Sequence, residues 1–175
     1  MSGASLSVTF DDGGILAVLD GLALAGTRPR ELLRAIGAGL ADSARRRFST
    51  QSGPDGTGWP GLSPAYAEIR ARPGSPILVQ TGALRESLTF MTRGHEVVVG
   101  SAMIYAGVHQ FGAIIEAKNA PALAFHLGDG RGGARLVRVR KVKIPARPFL
   151  GISPEDGVMI IETAADYVRR LLDAA

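Results

Sequence analysis

The spacing of apolar residues predicts two amphipathic helices, one in each half of the chain. The first follows a start signal at Thr27 and Pro29. Its apolar side chains recur at helical spacing and are Leu32, Leu33, Ile36, Leu40, Ala44 and Phe48. The second starts with Ser153 as the N-cap and Pro154 in the first turn. Its predicted inward face consists of Val158, Ile161, Ala165, Val168 and Leu172.

Alternating apolar and polar residues predict strands before and between these helices. They fall at residues 6–10, 90–93, 96–100, 123–127 and 134–144. Gly94 and His95 separate the second and third of these, so those two strands are expected to form a hairpin. Residues 145–151 are expected to be extended, because proline disfavours helix in the residue before it.

Three shorter helical segments and two long loops complete the prediction. Residues 64–69 can form a helix capped by Ser63, residues 81–88 a helical turn, and residues 105–111 a turn that ends at Gly112. A short helix at 15–25 is also predicted, with a second strand as the alternative. The glycine- and proline-rich loops lie at 49–63 and 128–133.

This order of elements predicts an α+β fold. An antiparallel sheet is expected to be packed by the N-terminal and C-terminal helices and connected by long Gly/Pro-rich loops. The 175 residues, of which 46% are hydrophobic, suit a single domain over residues 1–175.

Composition excludes several kinds of chemistry. The chain has no cysteine, which rules out disulfides, thiolate zinc sites, iron–sulfur clusters and thiol catalysis, and fits assembly in a reducing cytoplasm. His95, His109 and His126 lie at no metal-ligand spacing. No serine stands in a G-x-S-x-G elbow, and the loop at 128–133 lacks the ending of a phosphate-binding loop. We therefore expect no catalytic residue, cofactor or metal, and the apolar stretch at 15–25 is too short to span a membrane.

The charge is mildly basic, with a net charge of +4 and a pI of about 10.0. Two clusters carry the candidate basic contacts: Arg45, Arg46 and Arg47, then Arg135, Arg138, Arg140, Lys141 and Lys143. The second cluster can be a solvated edge strand, an oligomer interface or a surface that faces DNA. It has no interleaved aromatic residue to stack on bases.

Trp59 is the only tryptophan and stands in the loop at 49–63. Such a side chain can pack back onto the core of its own subunit or reach a neighbouring subunit. Both interpretations are open at the level of sequence.

Four blocks of the chain together resemble the phage virion morphogenesis family. They are D-G-x-x-W-x-x-L-S within residues 48–63, I-L-x-x-T-G-x-L-R-x-S at 77–87, Y-A-x-x-H-Q-F-G at 105–112 and I-P-x-R-P-F-L-G at 144–151. This family is the tail-completion group of Mu-like tailed phages and prophages. The chain is more distantly similar to other neck and tail-completion proteins of long-tailed phages. The resemblance covers nearly the whole chain.

The resemblance implies a structural, non-enzymatic protein of the virion neck or tail that assembles in the host cytoplasm. It implies a homo-oligomeric ring, commonly sixfold, between the head connector or head-closure proteins and the tail terminator or tail tube. Genomic DNA in the lumen can then be contacted non-specifically, and no membrane is involved. The alternatives are a basic nucleic-acid-binding module and a minor tail protein elsewhere in the tail.

The bulky residues of the four blocks are the candidate interface or structural anchors: Trp59, Leu84, Tyr105, His109, Phe111, Arg147 and Phe149. Arg147 lies between prolines on a stiff segment and is expected to pair with a carboxylate. The alternative is that all of them pack the core of their own subunit.

Overall fold

A computed structural model describes residues 4–6, 30–69, 74–118, 120–128 and 134–173. These residues form five helices: α1 (Arg30–Thr50), α2 (Pro64–Ile69), α3 (Ala83–Glu86), α4 (Ala106–Phe111) and α5 (Pro154–Asp173). Their strands are β1 (Ala4–Leu6), β2 (Leu88–Arg93), β3 (Glu96–Ser101), β4 (Ala113–Glu116), β5 (Leu123–Gly128), β6 (Ala134–Val139) and β7 (Lys141–Ile144). The helix predicted at 15–25, the start signal at Thr27 and Pro29, and most of the strand predicted at 6–10 lie outside the described residues, as does the loop at 129–133.

The strands pair in three small antiparallel sheets, and the α+β class is confirmed. The first has the order β1-β3-β2, the second pairs β4 with β7, and the third pairs β5 with β6. The predicted hairpin is present, with Phe90 opposite Val99 and Arg93 opposite Glu96. Helix α1 packs on this hairpin and on α5, so it lies at the centre of the fold.

Helix α1 forms as the apolar spacing predicts. Its buried side includes Leu32, Leu33, Ile36, Ala44 and Phe48. The helix continues through Thr50, two residues into the predicted loop, and ends where Gln51 adopts a positive φ of 57°. Gly37 in the middle of the helix gives the ring of Phe90 room to pack, since a Cβ atom there would lie 2.4 Å from Phe90 Cδ2.

The core has two parts, one against the N-terminal half of α1 and one at its C-terminal end. One part packs α1 against α5 through Leu32, Ile36, Ile160, Ala164 and Tyr167. The other joins the end of α1 to the loops and short elements; it contains Ala44, Phe48, Trp59, Leu84, Leu88, Ala106, Phe149 and Leu150. The second part contains residues from all four sequence blocks.

Helix α5 is present as predicted, but its predicted inward face was wrong at four of its five residues, and only Val168 packs, partly buried, against the α1–α5 core. The buried residues are Asp156, Ile160, Ala164 and Tyr167, whereas Val158, Ile161 and Leu172 are exposed. The helix has apolar residues on two adjacent stripes, so apolar spacing alone did not fix its rotation. The rotation follows the buried pair of Asp156 with Arg47, described below.

Three predictions in the second half of the chain also need correction. The strand predicted at 134–144 is divided at Arg140: β6 pairs with β5, and β7 pairs with β4. Strand β4 was not predicted, because four residues are too few for a clear alternation. Helix α4 begins at Ala106, one residue later than the predicted turn, and it turns Ala106 and Gln110 inward and leaves Phe111 exposed.

Candidate functional site

Residues 145–151, which we call the hub segment, link the elements that carry the four sequence blocks. The segment forms neither helix nor strand and bends at Gly151, so its predicted extended conformation stays a prediction. It pairs with no strand, and besides the bond from the Arg147 N–H to the carbonyl of His109 (2.7 Å), its buried backbone groups are satisfied by side chains. Gln110 supplies three of these bonds: its Oε1 accepts from the backbone N–H of Phe149 (3.0 Å) and Leu150 (2.9 Å), and its Nε2 donates to the carbonyl of Leu150 (2.9 Å).

Arg47 also binds the C-terminal end of the hub segment. Its Nη1 donates to the carbonyl oxygens of Phe149 and Gly151, each at 2.9 Å. Its Nη2 donates to Asp156 Oδ2 at 2.6 Å, and both side chains are almost fully buried. Burial lowers the pKa of the Arg47 guanidinium, and the charge of Asp156 opposes this change. The charged pair is thereby tied to backbone oxygens as well, which provides the hydrogen bonds that a buried ion pair requires.

Asp156 also begins helix α5. Its Oδ2 accepts from the backbone N–H of Ser153 at 2.9 Å, while Ser153 Oγ accepts from the N–H of Asp156 at 3.2 Å. This reciprocal arrangement is a capping box with aspartate in place of the usual glutamate. One carboxylate therefore fixes both the start of α5 and its rotation toward α1.

The loop that carries Trp59 is fastened to the hub segment from the other side. Trp59 Nε1 donates to the carbonyl of Pro148 at 2.9 Å, and the Trp59 side chain is buried. Arg147 reaches back to the same loop: Nε donates to the carbonyl of Pro60 (2.9 Å) and Nη2 to that of Gly61 (3.0 Å). The expected partner was a carboxylate. The loop instead presents backbone carbonyls to the guanidinium, so Arg147 acts here as a clamp on the loop.

Gln51 joins the end of α1 to the second sequence block. Its side-chain oxygen accepts from the backbone N–H of Ile77 at 2.6 Å, and its nitrogen donates to the carbonyls of Phe48 (2.6 Å) and Ile77 (3.1 Å). With Gln51, all four blocks are connected by hydrogen bonds or by packing in the core.

Aromatic rings fill the space between these polar contacts. Phe48 meets Trp59 edge-on, with ring centroids 5.4 Å apart, and lies 5.4 Å from the ring of Phe149. Such pairs add about 0.5–1.5 kcal/mol each to the burial of their apolar area. Trp59, Leu84, Arg147 and Phe149 thus lie in the interior of their own subunit. That these four residues contact a neighbouring subunit stays a prediction.

Tyr105 and His109 lie beside a groove of about 910 Å³, which is lined by α4, β7, the loop after Trp59 and residues 77–84. Their rings are 5.9 Å apart in an edge-on arrangement. His109 Nδ1 is buried, and no described residue offers it a hydrogen bond. Burial lowers the pKa of His109 below its ordinary value, and the charge of Arg147 lowers it further. The imidazole is therefore neutral at pH 7.

Large apolar side chains are exposed just before α4, at its last residue and in β4. Ile104 is 80% exposed, Phe111 63% and Ile114 62%. We call these three residues the α4–β4 surface. Side chains of this size seldom stay in water when several lie close together in sequence and structure, so this region is a candidate contact surface.

The two basic clusters differ in how much of their charge faces outward. Arg47 is buried on Asp156, which removes it from the basic surface, and Arg45 pairs with Asp42 at 2.6 Å. Arg46 is exposed, as are four residues of the second cluster: Arg138, Arg140, Lys141 and Lys143. The side chain of Arg135 lies outside the described residues.

Sequence reasoning missed the polar residues that connect this region: Arg47 and Gln110, which bind the hub segment, Asp156, which pairs with Arg47, and Gln51, which binds Ile77. A single charged or amide residue in a sequence does not indicate that its side chain will bind backbone groups in the interior. One usable signal was position, since Gln51 and Gln110 stand inside two of the four blocks.

The polar groups of this region hold backbone atoms, and they present no reactive constellation. Among the described residues, no group of three His, Cys, Asp or Glu side chains is placed to hold a metal ion. Within the same ranges, none of the helices combines the length and apolar character needed to cross a bilayer. What the region does present is a rigid interior beneath exposed apolar side chains.

Comparison with known proteins agrees with the resemblance of the four blocks. Residues 10–169 match the model of the phage virion morphogenesis family. The chain is 32% identical over 158 residues to the Mu-like prophage FluMu G protein 2 of Haemophilus influenzae, covering 90% of this chain and 91% of that protein. It is 29% identical over 175 residues to the putative capsid assembly protein G of Escherichia phage Mu, covering 97% and 96%. No solved structure matches the chain. The chain belongs to the phage virion morphogenesis family, and its role is a structural one in the assembly of phage particles.

Proposed function

We propose that the protein completes the head–tail junction of a long-tailed phage or prophage particle, as a ring of identical subunits in the neck. Its partners are other copies of itself, commonly six, the head connector or head-closure proteins on one side, and the tail terminator or tail tube on the other. It acts without catalysis. Its place is the virion, and it reaches that place during assembly in the host cytoplasm.

The observation that carries this proposal is the contrast between a fixed interior and the exposed α4–β4 surface. The hub segment holds the end of α1, the Trp59 loop and α4 in one arrangement, and Arg47 connects α5 to it through Asp156. Directly after the inward-facing Gln110, Phe111 and Ile114 point into solvent. A subunit of a ring needs this combination, because contact residues must be held rigidly if many copies are to close with the same geometry.

The proposal is tested with the phage that encodes this chain and a stop codon placed early in its gene. We expect DNA-filled heads and separate tails that fail to join, seen by electron microscopy of the lysate, with complete particles restored by the protein supplied in trans. Complete tailed particles without the protein would overturn the proposal. Absence of heads would indicate a role in capsid assembly, the role that the name of the phage Mu relative gives to that protein.

A variant of the α4–β4 surface makes the test specific. Phe111→Asp removes an exposed apolar side chain from α4, so we expect a folded protein that fails to restore joined particles. His95→Asp, at an exposed position of the β2–β3 turn, is the control and should restore them. Gold-labelled protein found along the tail, away from the neck, would instead favour a minor tail protein.

The exposed charges of β6 and β7 favour a second candidate, a nucleic-acid-binding module. Arg138, Arg140, Lys141 and Lys143 are all exposed. If they contact phosphates, binding to duplex DNA should weaken steeply as salt rises, and reversal of these charges should abolish it. Non-specific contact with the genome in the lumen of a ring would give weak binding of the same kind. Absence of any binding at low salt would remove this candidate.

A further inference from the structure

Helix α5 carries a continuous apolar stripe on its outward side. The stripe consists of Val158, Ile161, Ala165, Val168 and Leu172, and we call it the outer stripe. Val168 forms the edge of the stripe nearest α1, where it is partly buried and packs against the α1–α5 core. Val158 is 55% exposed, Ile161 52% and Leu172 73%. The sequence predicted that this stripe would face the core, and the structure leaves more than half of each of these three residues in water.

The outer stripe cannot turn inward by rotation of the helix. The adjacent side of α5 is held against α1 by Ile160, Ala164 and Tyr167, and its first turn is held by the Asp156–Arg47 pair. Rotation would expose these apolar residues and separate two buried charges. The outer stripe is therefore a stable surface feature of the subunit.

The spacing of the outer stripe is that of a coiled-coil seam. Its members are separated by three, four, three and four residues, which keeps them on one line along a helix that packs on another helix. In heptad notation, Val158, Ala165 and Leu172 occupy a positions, and Ile161 and Val168 occupy d positions. This pattern predicts a helix as the partner, rather than a strand or a loop.

We propose that the partner is α5 of a second copy of this chain, packed antiparallel on the outer stripe about a twofold axis. In an antiparallel pair each a position faces a d position of the other helix. One register places Ile161 against Leu172 of the second copy and Ala165 against Val168 of the second copy, and the twofold axis repeats both contacts. This register gives four apolar layers between the two helices. Each of the two central layers contains Ala165 of one copy, and this small side chain lets the helices approach closely.

The charges beside the outer stripe select this register and this direction. Glu162 and Arg169 are the two e positions, and both are exposed. In the antiparallel register above, Glu162 faces Arg169 of the second copy, and the axis makes this pair twice. In a parallel pair the same two side chains would face the g positions Gly157 and Ala164, which carry no charge. Arg169 is already oriented by Asp166 at 2.9 Å and can bridge both carboxylates.

This contact is separate from the proposed neck position and does not depend on it. A twofold contact uses the same patch on both copies, whereas a cyclic ring joins two different patches head to tail. The α4–β4 surface consequently stays available for a ring while the outer stripe is covered.

Single-cysteine variants test the contact directly, because the chain has no cysteine of its own. Ile161→Cys and Leu172→Cys are purified separately and oxidised under mild conditions, alone and as a mixture. The antiparallel register brings the thiol at position 161 of one copy next to the thiol at position 172 of the other, so the mixture should give a covalent dimer. Each variant alone should remain uncross-linked, because position 161 of one copy lies eleven residues along the helix from position 161 of the other, and the same holds for position 172. Cross-linking of each variant alone would show a parallel pair and overturn the proposal.

The mass of the full-length protein in solution provides the second measurement. We expect a dimer for the unmodified protein and a monomer for Ile161→Asp, with Ile104→Asp on the α4–β4 surface as the matched control that remains dimeric.

Glu162→Arg should weaken the dimer about tenfold, because two ion pairs are lost and two repulsions are gained. The double variant Glu162→Arg/Arg169→Glu should restore the dimer. A monomer for the unmodified protein, or a dimer that Ile161→Asp leaves intact, would overturn the contact. Neither result bears on whether heads and tails join, so the two proposals fail separately.

Discussion

Arg47 and Asp156 lie 109 residues apart in sequence, and their side chains meet at 2.6 Å in the interior. The guanidinium joins the end of α1 to two carbonyls of the hub segment, and the carboxylate caps α5. The pair therefore couples three elements that share no other charged contact among the described salt bridges.

Asp156→Asn should destabilise the protein strongly, because it leaves the buried Arg47 without its counter-charge. We expect the free energy of unfolding in urea to fall by about 3–5 kcal/mol. Asp166→Asn breaks an exposed pair with Arg169 and is the control, with an expected change below about 1 kcal/mol. Equal effects of the two substitutions would contradict the assignment of Arg47–Asp156 as a structural pair.

Gln110→Ala should loosen the hub segment from α4. It leaves two N–H groups and one carbonyl without partners in the interior, which we expect to cost about 3 kcal/mol or more. The fluorescence of Trp59, the only tryptophan, reports the change, since its indole bonds to the hub segment. Phe111→Ala on the same helix should leave that fluorescence unaltered, because its side chain is exposed.

Gly112→Ala tests the close approach of the end of α4 to the hub segment. Gly112 has φ 73° and ψ 167°, a conformation that is essentially restricted to glycine. A Cβ atom there would also lie 2.8 Å from the backbone nitrogen of Ala146. We expect a loss of about 3 kcal/mol in thermal or urea unfolding, from strain and overlap together. Gly94→Ala shares the positive φ but faces open space, so its smaller loss, about 1 kcal/mol, isolates the backbone strain.

His109 should make the stability of the protein sensitive to mild acid. Its pKa is lowered in the folded state by burial and by Arg147, so the unfolded chain takes up a proton first as the pH falls. Stability is thus fully present above the unfolded value, about 6.5, and is lost as the pH drops below it toward the lowered folded pKa. Unfolding measured at pH 7 and pH 5 should show this loss in the unmodified protein and in His95→Gln, but a smaller one in His109→Gln. An unchanged pH dependence in His109→Gln would refute the effect.

The parts of the fold that local spacing determines were predictable. Helix α1 and the β2–β3 hairpin follow from residues adjacent in sequence, such as Leu32 with Ile36, or Gly94 between two alternating runs. Strand β4 was not predictable in this way, because Ala113 to Glu116 become a strand only by pairing with β7. The break at Arg140 has the same origin: two different partners divide one alternating run.

The candidate site shows the same limit. The sequence identified the bulky residues of the four blocks, but it did not show which of them are buried and which are exposed. Trp59 lies inside because the carbonyl of Pro148 accepts its N–H, and Phe111 lies outside because Gln110 occupies the inward side of α4. In both cases a polar partner far away in sequence decides the placement.

The long sequence separation between Arg47 and its partners also limits when the subunit can complete its core during translation. Residues 30–50 leave the ribosome early, yet the carbonyls of Phe149 and Gly151 and the carboxylate of Asp156 are made more than a hundred residues later. Until then, the guanidinium and the apolar residues around it have no native burial. A nascent chain of this protein therefore cannot complete this part of its core until Asp156 has been made, and the surfaces held by this core take their native positions only after that point.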